Sequence, residues 1–282
     1  MKNILLFLWV YFLPIMGAAQ EVDERKHLLS SIENSINIST ITIVDPYLSP
    51  LNYKGLGGGF HTENRKFLSP VNLKLSRQVN LNLVGGMAIN PAYTASMIFA
   101  GGDFGWGLHY HLKPFANLQI LGGGLWDVNF MYKMVGRNTN NPINIDLATN
   151  INFSGIARYD FVLFKKTHRL QLNLQSPLLG CMYVPLAGAS YYEMFKLWNL
   201  SSTTHFSSLH NKRGINTSLS IYVPFKRTVW KFGIGYNGLK YSANDMIFKQ
   251  QELSVLVGTS FDRIIFAGRN NRAPKRFIST ND

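Results

Sequence analysis

The sequence predicts an all-β chain: an antiparallel, up-and-down transmembrane β-barrel of about twelve strands, with ten to fourteen compatible with its turns. Three observations predict it. Residues alternate between apolar and polar over long stretches, the polar faces carry little charge, and the N-terminus reads as an export signal. The 282 residues are 46% apolar and 13% aromatic, enough to bury a core, which excludes a disordered chain. Only 15% are charged, against about 25% in ordinary soluble domains, yet the formal charge is +13.

The elements follow in order. Met1-Lys2-Asn3 carries one positive charge, Ile4 to Met16 is an apolar run, and Gly17-Ala18-Ala19 supplies the small residues of a cleavage site. Residues 1–19 therefore read as a secretory signal peptide cut after Ala19, its apolar run too short to span a bilayer. With no cysteine near the cut, lipoprotein anchoring is excluded. No later segment approaches about 18 consecutive apolar residues, so the mature chain is not a helical membrane protein. Residues 20–53 read as an N-terminal periplasmic segment. Helical spacing is best at Val22 to Ile36, and Ile36 to Val44 is strand-like but has no assigned place.

The barrel is expected over residues 54–266. From Ile143 the odd positions run Ile143, Ile145, Leu147, Thr149, Ile151 and Phe153, against Asn144, Asp146, Ala148, Asn150, Asn152 and Ser154. One strand face is apolar and the other polar. The same alternation recurs around Trp106 to Leu112, Trp126 to Tyr132, Leu170 to Leu174, Ile215 to Val223, Trp230 to Tyr236 and Leu253 to Phe261. Turn signals place strands near 54–66, 71–87, 92–100, 105–113, 118–135, 143–164, 168–180, 190–198, 203–210, 214–225, 228–241 and 250–266. Trp106, Trp126, Tyr159, Tyr222, Trp230 and Tyr241 fall near strand ends, as interfacial girdles require. Short and long connections alternate from residue 114 onward, the rhythm of periplasmic turns and outer loops. Residues 267–282 read as a basic, solvated tail holding Arg269, Arg272, Lys275 and Arg276, suited to anionic lipid head groups.

Three segments taken together resemble a known family: Asp45-Pro46-Tyr47-Leu48-Ser49-Pro50-Leu51, Asn138-Thr139-Asn140-Asn141-Pro142, and Ser176-Pro177-Leu178-Leu179-Gly180 through Ser190-Tyr191-Tyr192-Glu193-Met194-Phe195. This set is similar to a Bacteroidota-type family of outer-membrane-like β-barrels classed as a domain of unknown function. The resemblance covers roughly residues 36 to 262 and implies an outer-membrane barrel. It supplies no activity and no catalytic residues.

The chemistry-bearing motifs are few. One cysteine, Cys181, excludes a disulfide framework and multi-cysteine metal sites. The glycine runs at Gly55 to Gly59, Gly85-Gly86, Gly101-Gly102 and Gly122-Gly123-Gly124 are not followed by helices, so they mark bends and close packing instead of phosphate loops. His109 and His111 share a polar strand face, and Asp127 is the nearest third metal ligand. A polar lumen explains all three with no metal and no cofactor. The same face rule marks Asn129, Lys133, Asp146, Asn150, Gln171, Asn173, Lys231 and Glu252 as lumen-lining. His205-Phe206-Ser207 is the sharpest enzymatic motif. It is similar to the His-x-Ser pair of outer-membrane lipid acyl hydrolases, although Ser208 stands where that pattern has Asn; the pattern identifies no carboxylate partner, and Glu193 on the preceding expected strand is the candidate.

Three functions remain open from the sequence. The first is a non-enzymatic barrel in the cell outer membrane, a narrow channel or an envelope structural component with membrane lipid as its partner. A lipid acyl hydrolase using His205, Ser207 and Glu193 is the second, and a soluble secreted β-protein that binds a ligand is the third. Export removes the chain from nucleic acid despite its basic charge.

Overall fold

The computed structural model describes residues 26–137, 141–196, 200–225, 228–263 and 276–281. Its strands are β1 (Lys26–Leu28), β2 (Ser30–Asp45), β3 (Ser49–Phe67), β4 (Leu75–Ile89), β5 (Ser96–Phe115), β6 (Leu118–Val135), β7 (Ile143–Leu163) and β8 (Lys166–Tyr183). Two short helices follow, α1 (Tyr191–Lys196) and α2 (Leu200–Thr203). The remaining strands are β9 (Thr204–Ser208), β10 (Lys212–Phe225), β11 (Thr228–Ala243), β12 (Met246–Arg263) and β13 (Arg276–Ile278).

Neighbouring strands pair antiparallel from β2 to β8, β8 pairs with β10, and β10 runs on through β11 and β12. Pairing of β12 with β2, from Arg263↔Ser30 to Lys249↔Val44, closes the ring. The result is a ten-strand closed barrel, with β9 as an extra strand laid on the upper half of β8. Closure leaves β2 and β12 without an unpaired edge, as lipid demands of a spanning sheet.

The outer wall is apolar. Ile36 and Ile38, Leu81 and Leu83, Phe104 and Trp106, Leu170 and Leu172, Phe232 and Ile234, and Leu253 and Val255 all stand exposed on it. In water an apolar exterior that wraps a whole sheet is not tolerated; in a bilayer it is the required surface. The chain is a transmembrane β-barrel.

The two ends differ. At one, β5–β6 and β7–β8 turn over residues 116–117 and 164–165, and both β2 and β12 have their outer termini there. We call this the turn end. The other, the loop end, carries 46–48, 90–95, the two-residue turn 244–245 and the connection between β8 and β9 whose described residues include α1 and α2; the connection 68–74 lies at the turn end.

Several expectations are corrected. The ten barrel strands fall within the ten to fourteen expected, but their assignment differs: 92–100 and 105–113 are one strand, β5, 203–210 is the extra strand β9, and β2 joins the ring. Residues 190–198 begin as a helix: Ser190 caps α1, taking Glu193 N–H on its Oγ at 3.3 Å while Glu193 accepts from Ser190 N at 2.8 Å. The expected periplasmic segment 20–53 contains β2, the strand that closes the barrel, so no helix forms over its described part. Tyr222 and Tyr241 are not girdle residues. Both point inward, Tyr222 onto Glu33 at 2.8 Å and Tyr241 stacked on Phe248 at 4.6 Å between ring centroids. Within 267–282, Arg276–Ile278 pairs parallel with Lys26–Leu28, and Ser279 and Thr280 are buried at 2% and 0% exposure. Arg269, Arg272 and Lys275, like residues 1–19 with their expected signal peptide, lie outside the described residues.

Small residues open room for large ones inside the wall. The Phe99 ring lies across the cross-strand pair Gly57↔Gly86, and a Cβ on Gly86 would fall 2.6 Å from Phe99 Cζ and 2.3 Å from the Leu56 carbonyl oxygen. Two-residue hairpins pinch the sheet elsewhere. Asn244-Asp245 (φ 51° and 59°) and Phe164-Lys165 (φ 51° and 60°) both sit in the left-handed region required by a type I′ turn. Asn-Asp suits that geometry, whereas Phe-Lys is strained in it. The double substitution Phe164→Asn/Lys165→Gly is therefore expected to stabilise the folded barrel by about 1 kcal/mol, read as a higher urea midpoint for loss of the fast-migrating folded band on unheated gels. An unchanged or lower midpoint contradicts the strain argument.

Candidate functional site

Alternation places the functional side chains. His109, His111, Asp127, Asn129, Lys133, Asp146, Asn150, Gln171, Asn173, Lys231 and Glu252 all lie on the inward faces of their strands. The structure does not gather them into one constellation. They distribute over three levels along the barrel axis, each with its own hydrogen-bond network.

At the turn end, Lys231 Nζ lies 2.9 Å from Glu33 Oε2, which also accepts from Tyr222. Arg65 pairs with Glu63 and donates to Gln78 Oε1 at 3.1 Å. Arg158 donates through Nε to Gln171 at 2.8 Å and through Nη1 to the carbonyl of Thr280 at 2.8 Å. The 276–281 segment is thereby part of this level. Ser279 and Thr280 reach Ser31 Oγ at 3.1 and 2.9 Å, and Arg169 Nη2 donates to the Asn281 carbonyl at 2.6 Å. This segment occupies part of the turn-end mouth, beside a cavity of about 190 Å³ lined by Arg169, Tyr222 and Asn281.

His109 and His111 do not converge. His109 Nε2 meets Ser154 Oγ at 2.9 Å, while His111 Nε2 meets Ser76 Oγ at 2.7 Å and its Nδ1 meets Gln119 at 3.1 Å. Asp127 is engaged elsewhere, accepting from Asn150 at 2.7 Å and Asn152 at 2.5 Å. Among the described residues no group of three or more His, Cys, Asp and Glu side chains is placed to hold a metal ion.

The middle level surrounds a cavity of about 290 Å³. Asp103, Asp127, Asn129, Asn150, Asn152 and Lys212 line one side of it. Asn129 donates to Asp103 at 2.7 Å, Asn150 donates to Asn129 at 2.7 Å, and Lys212 donates to Asn150 Oδ1 at 2.8 Å. Asn173, which donates to Ser218 at 3.0 Å, and Glu252 line other parts of the wall. The amides act as spacers that give each carboxylate a donor without a second full charge.

At the loop end, Lys133 bridges Asp45 at 2.6 Å and Asp146 at 2.7 Å, all three inside the barrel. Asn144 donates to Asp45 at 2.7 Å and accepts from Tyr191 of α1 at 2.9 Å, and the Tyr191 hydroxyl in turn accepts from Ile145 N–H at 2.6 Å. Tyr47 donates to the Ala189 carbonyl at 2.8 Å, and burial pushes its hydroxyl up to about 12. Asn244 at the β11–β12 turn donates to the carbonyls of Val184, Pro185 and Ser202. These bonds strap the β8–β9 connection over the mouth. Beneath it an apolar cluster of Ile41, Ile43, Leu48, Met97, Phe99, Met182, Met194 and Phe248 fills the lumen. Sequence reasoning expects a polar lumen and misses this plug; inward Ile41 and Ile43 facing outward Thr40 and Thr42 are the signal for it.

His205 and Ser207 share the inward face of β9, opposite Met182 and Gly180. Among the described residues no hydrogen bond joins them, and buried His205 Nε2 has no partner. Glu193 is fully exposed on α1, and its hydrogen bonds from Ser190 hold its carboxyl below the usual range. The arrangement thus holds a histidine and a serine on one face without a base–nucleophile bond and without a carboxylate orienting the histidine.

Comparison with solved structures finds barrels of low identity. The outer-membrane protease OmpT of Escherichia coli aligns over 87% of this chain and 99% of its own, with 8% identity and a TM-score of 0.48. The translocator domain of the autotransporter NalP of Neisseria meningitidis aligns over 90% and 95%, with 9% identity and a TM-score of 0.40. Neisserial surface protein A aligns over 82% and 95%, with 10% identity and a TM-score of 0.36. No curated protein matches the chain. A family model does match, over residues 4–270, and by that match the chain belongs to the family described as "Protein of unknown function (DUF3316)".

Proposed function

We propose that this protein is an integral outer-membrane β-barrel that serves as a closed, non-enzymatic envelope component. Its apolar outer wall supports that location. The observation that carries the closed state is that side chains and the 276–281 segment obstruct both mouths. The 276–281 segment occupies part of the turn end through Arg158, Arg169 and Ser31, and the apolar cluster under α1 occupies the loop end. Between them a cavity of about 290 Å³ remains, part of whose wall is polar side chains bonded to one another, among them Asp103, Asp127, Asn129 and Asn150. A narrow conducting channel would need both plugs to leave together.

Planar-bilayer recording tests this directly. The folded full chain is expected to insert without steady ohmic steps at moderate voltage. Reproducible steps of fixed size from the intact chain contradict the closed reading and favour the channel.

The non-enzymatic part has its own test. The full exposure of Glu193, bonded to Ser190, and the absent His205–Ser207 hydrogen bond among the described residues support it. Fatty-acid release from phospholipid or glycolipid micelles is expected to be at background and unchanged by Ser207→Ala. Release that disappears in the Ser207→Ala protein establishes the acyl-hydrolase reading instead.

A further inference from the structure

Charge is segregated across the barrel wall. Every carboxylate of the described strands projects inward or joins the filling of a mouth, whereas Lys54, Lys66, Arg77, Arg213, Lys240 and Lys249 project outward. A wall that carries outward charge of one sign has no carboxylate of its own with which to neutralise it.

Three of these cations form a row. Arg213 on β10 is the direct Cα partner of Lys240 on β11, and Lys240 is the direct partner of Lys249 on β12. Like charges directly opposite one another across a sheet destabilise it. No ion pair to any of the three occurs among the described residues, and the one side-chain bond in the row is Arg213 Nε to the Leu209 carbonyl at 3.0 Å. The row lies at the loop end, and the apolar belt begins just below it with exposed Ile215, Tyr236 and Leu253. Between belt and row, Gly238 leaves a shelf: a Cβ there would fall 2.7 Å from the Tyr236 hydroxyl, which lies across it toward Lys240. The row therefore sits at head-group depth with an aromatic hydroxyl at its lower edge.

We propose that Arg213, Lys240 and Lys249, with the Tyr236 hydroxyl, bind the head group of an outer-leaflet lipid that carries two phosphates. Adjacent strands are about 4.8 Å apart, so the outer cations of the row stand about 10 Å apart and address two phosphates better than one. Guanidinium and ammonium groups are the side chains that bind phosphate oxygens, and the adjoining belt receives the acyl chains. The inference rests on the outer-membrane reading above.

The test uses the folded full chain in detergent, with its fold verified by heat-dependent gel mobility. The probe is a hexa-acylated glucosamine disaccharide lipid bearing two phosphates, and retention is read by native mass spectrometry. The intact protein is expected to retain this lipid, and to bind its dephosphorylated form and phosphatidylglycerol at least tenfold more weakly. Arg213→Gln/Lys240→Gln/Lys249→Gln is expected to lose on the order of 100-fold in affinity while keeping its heat-dependent mobility. Lys66→Gln/Arg77→Gln, which removes an equally opposed pair at the turn end, is expected to bind as the intact protein does. Equal binding by the triple variant, equal binding of the dephosphorylated lipid, or full competition by millimolar inorganic phosphate overturns the proposal. A protein that stays soluble without detergent contradicts the outer-membrane reading itself, and is told apart from those outcomes by the mobility assay.

Discussion

The antiparallel ladder between β2 and β12 is the interaction on which the rest of the structure depends. Fifteen paired positions, from Ser30↔Arg263 to Val44↔Lys249, turn an open sheet into a ring. Without them, β2 and β12 would each present a row of unpaired N–H and C=O groups, and in hydrocarbon each such group costs several kcal/mol. Closure also fixes which face is inside. Once the ring exists, Glu33 and Lys231 are committed to the same interior, as are Asp45, Lys133 and Asp146. The interior networks are consequences of closure and not its cause.

Those networks give a buried charge either a counter-charge or neutral hydrogen-bond partners: among the described residues Arg158 and Lys212 donate only to amide and carbonyl oxygens. Lys133 serves two carboxylates, Glu33 serves Lys231 and Tyr222, and the Asp127 carboxylate takes two asparagine amides. Removing one member of such a buried pair typically costs about 3–5 kcal/mol, because the other charge is left uncompensated. The polar interior thus sets register and rigidity as much as it fills space. The outer wall follows the opposite rule, with apolar side chains toward lipid and only cations at its borders. The low charged fraction thus has a geometric origin, and part of the basic excess shares it.

Much of this was legible from residue order. β6 and β7 stand out because Trp126 to Tyr132 and Ile143 to Phe153 alternate without interruption. β5 was not legible as one strand, because Gly101, Gly102, Gly105 and Gly107 remove the side chains that would carry the alternation. β2 was hidden for a different reason. Its apolar residues change face midway, with Ile36 and Ile38 toward lipid and Ile41 and Ile43 toward the plug, so no single face reads as apolar throughout. Tyr191 to Phe195 has the composition of a strand, and only the Ser190–Glu193 capping box betrays the helix. The inward-facing residues follow from parity alone. Their division into three separate networks, and the return of Ser279 and Thr280 into the mouth, depend on contacts between residues far apart in sequence, such as Ser31 with Thr280.

Closure by β2 is also the claim most open to a direct measurement. Ser39 and Ser254 are direct Cα partners across the β2–β12 seam, within the spacing a disulfide accepts. In membranes holding the Ser39→Cys/Ser254→Cys protein with Cys181→Ser, mild oxidation is expected to cross-link the two positions nearly completely. Proteolysis after heating should then leave the β2 and β12 fragments joined until reduction. Fragments that separate without reduction, in membranes where the protein is otherwise folded, would contradict the closed ten-strand barrel.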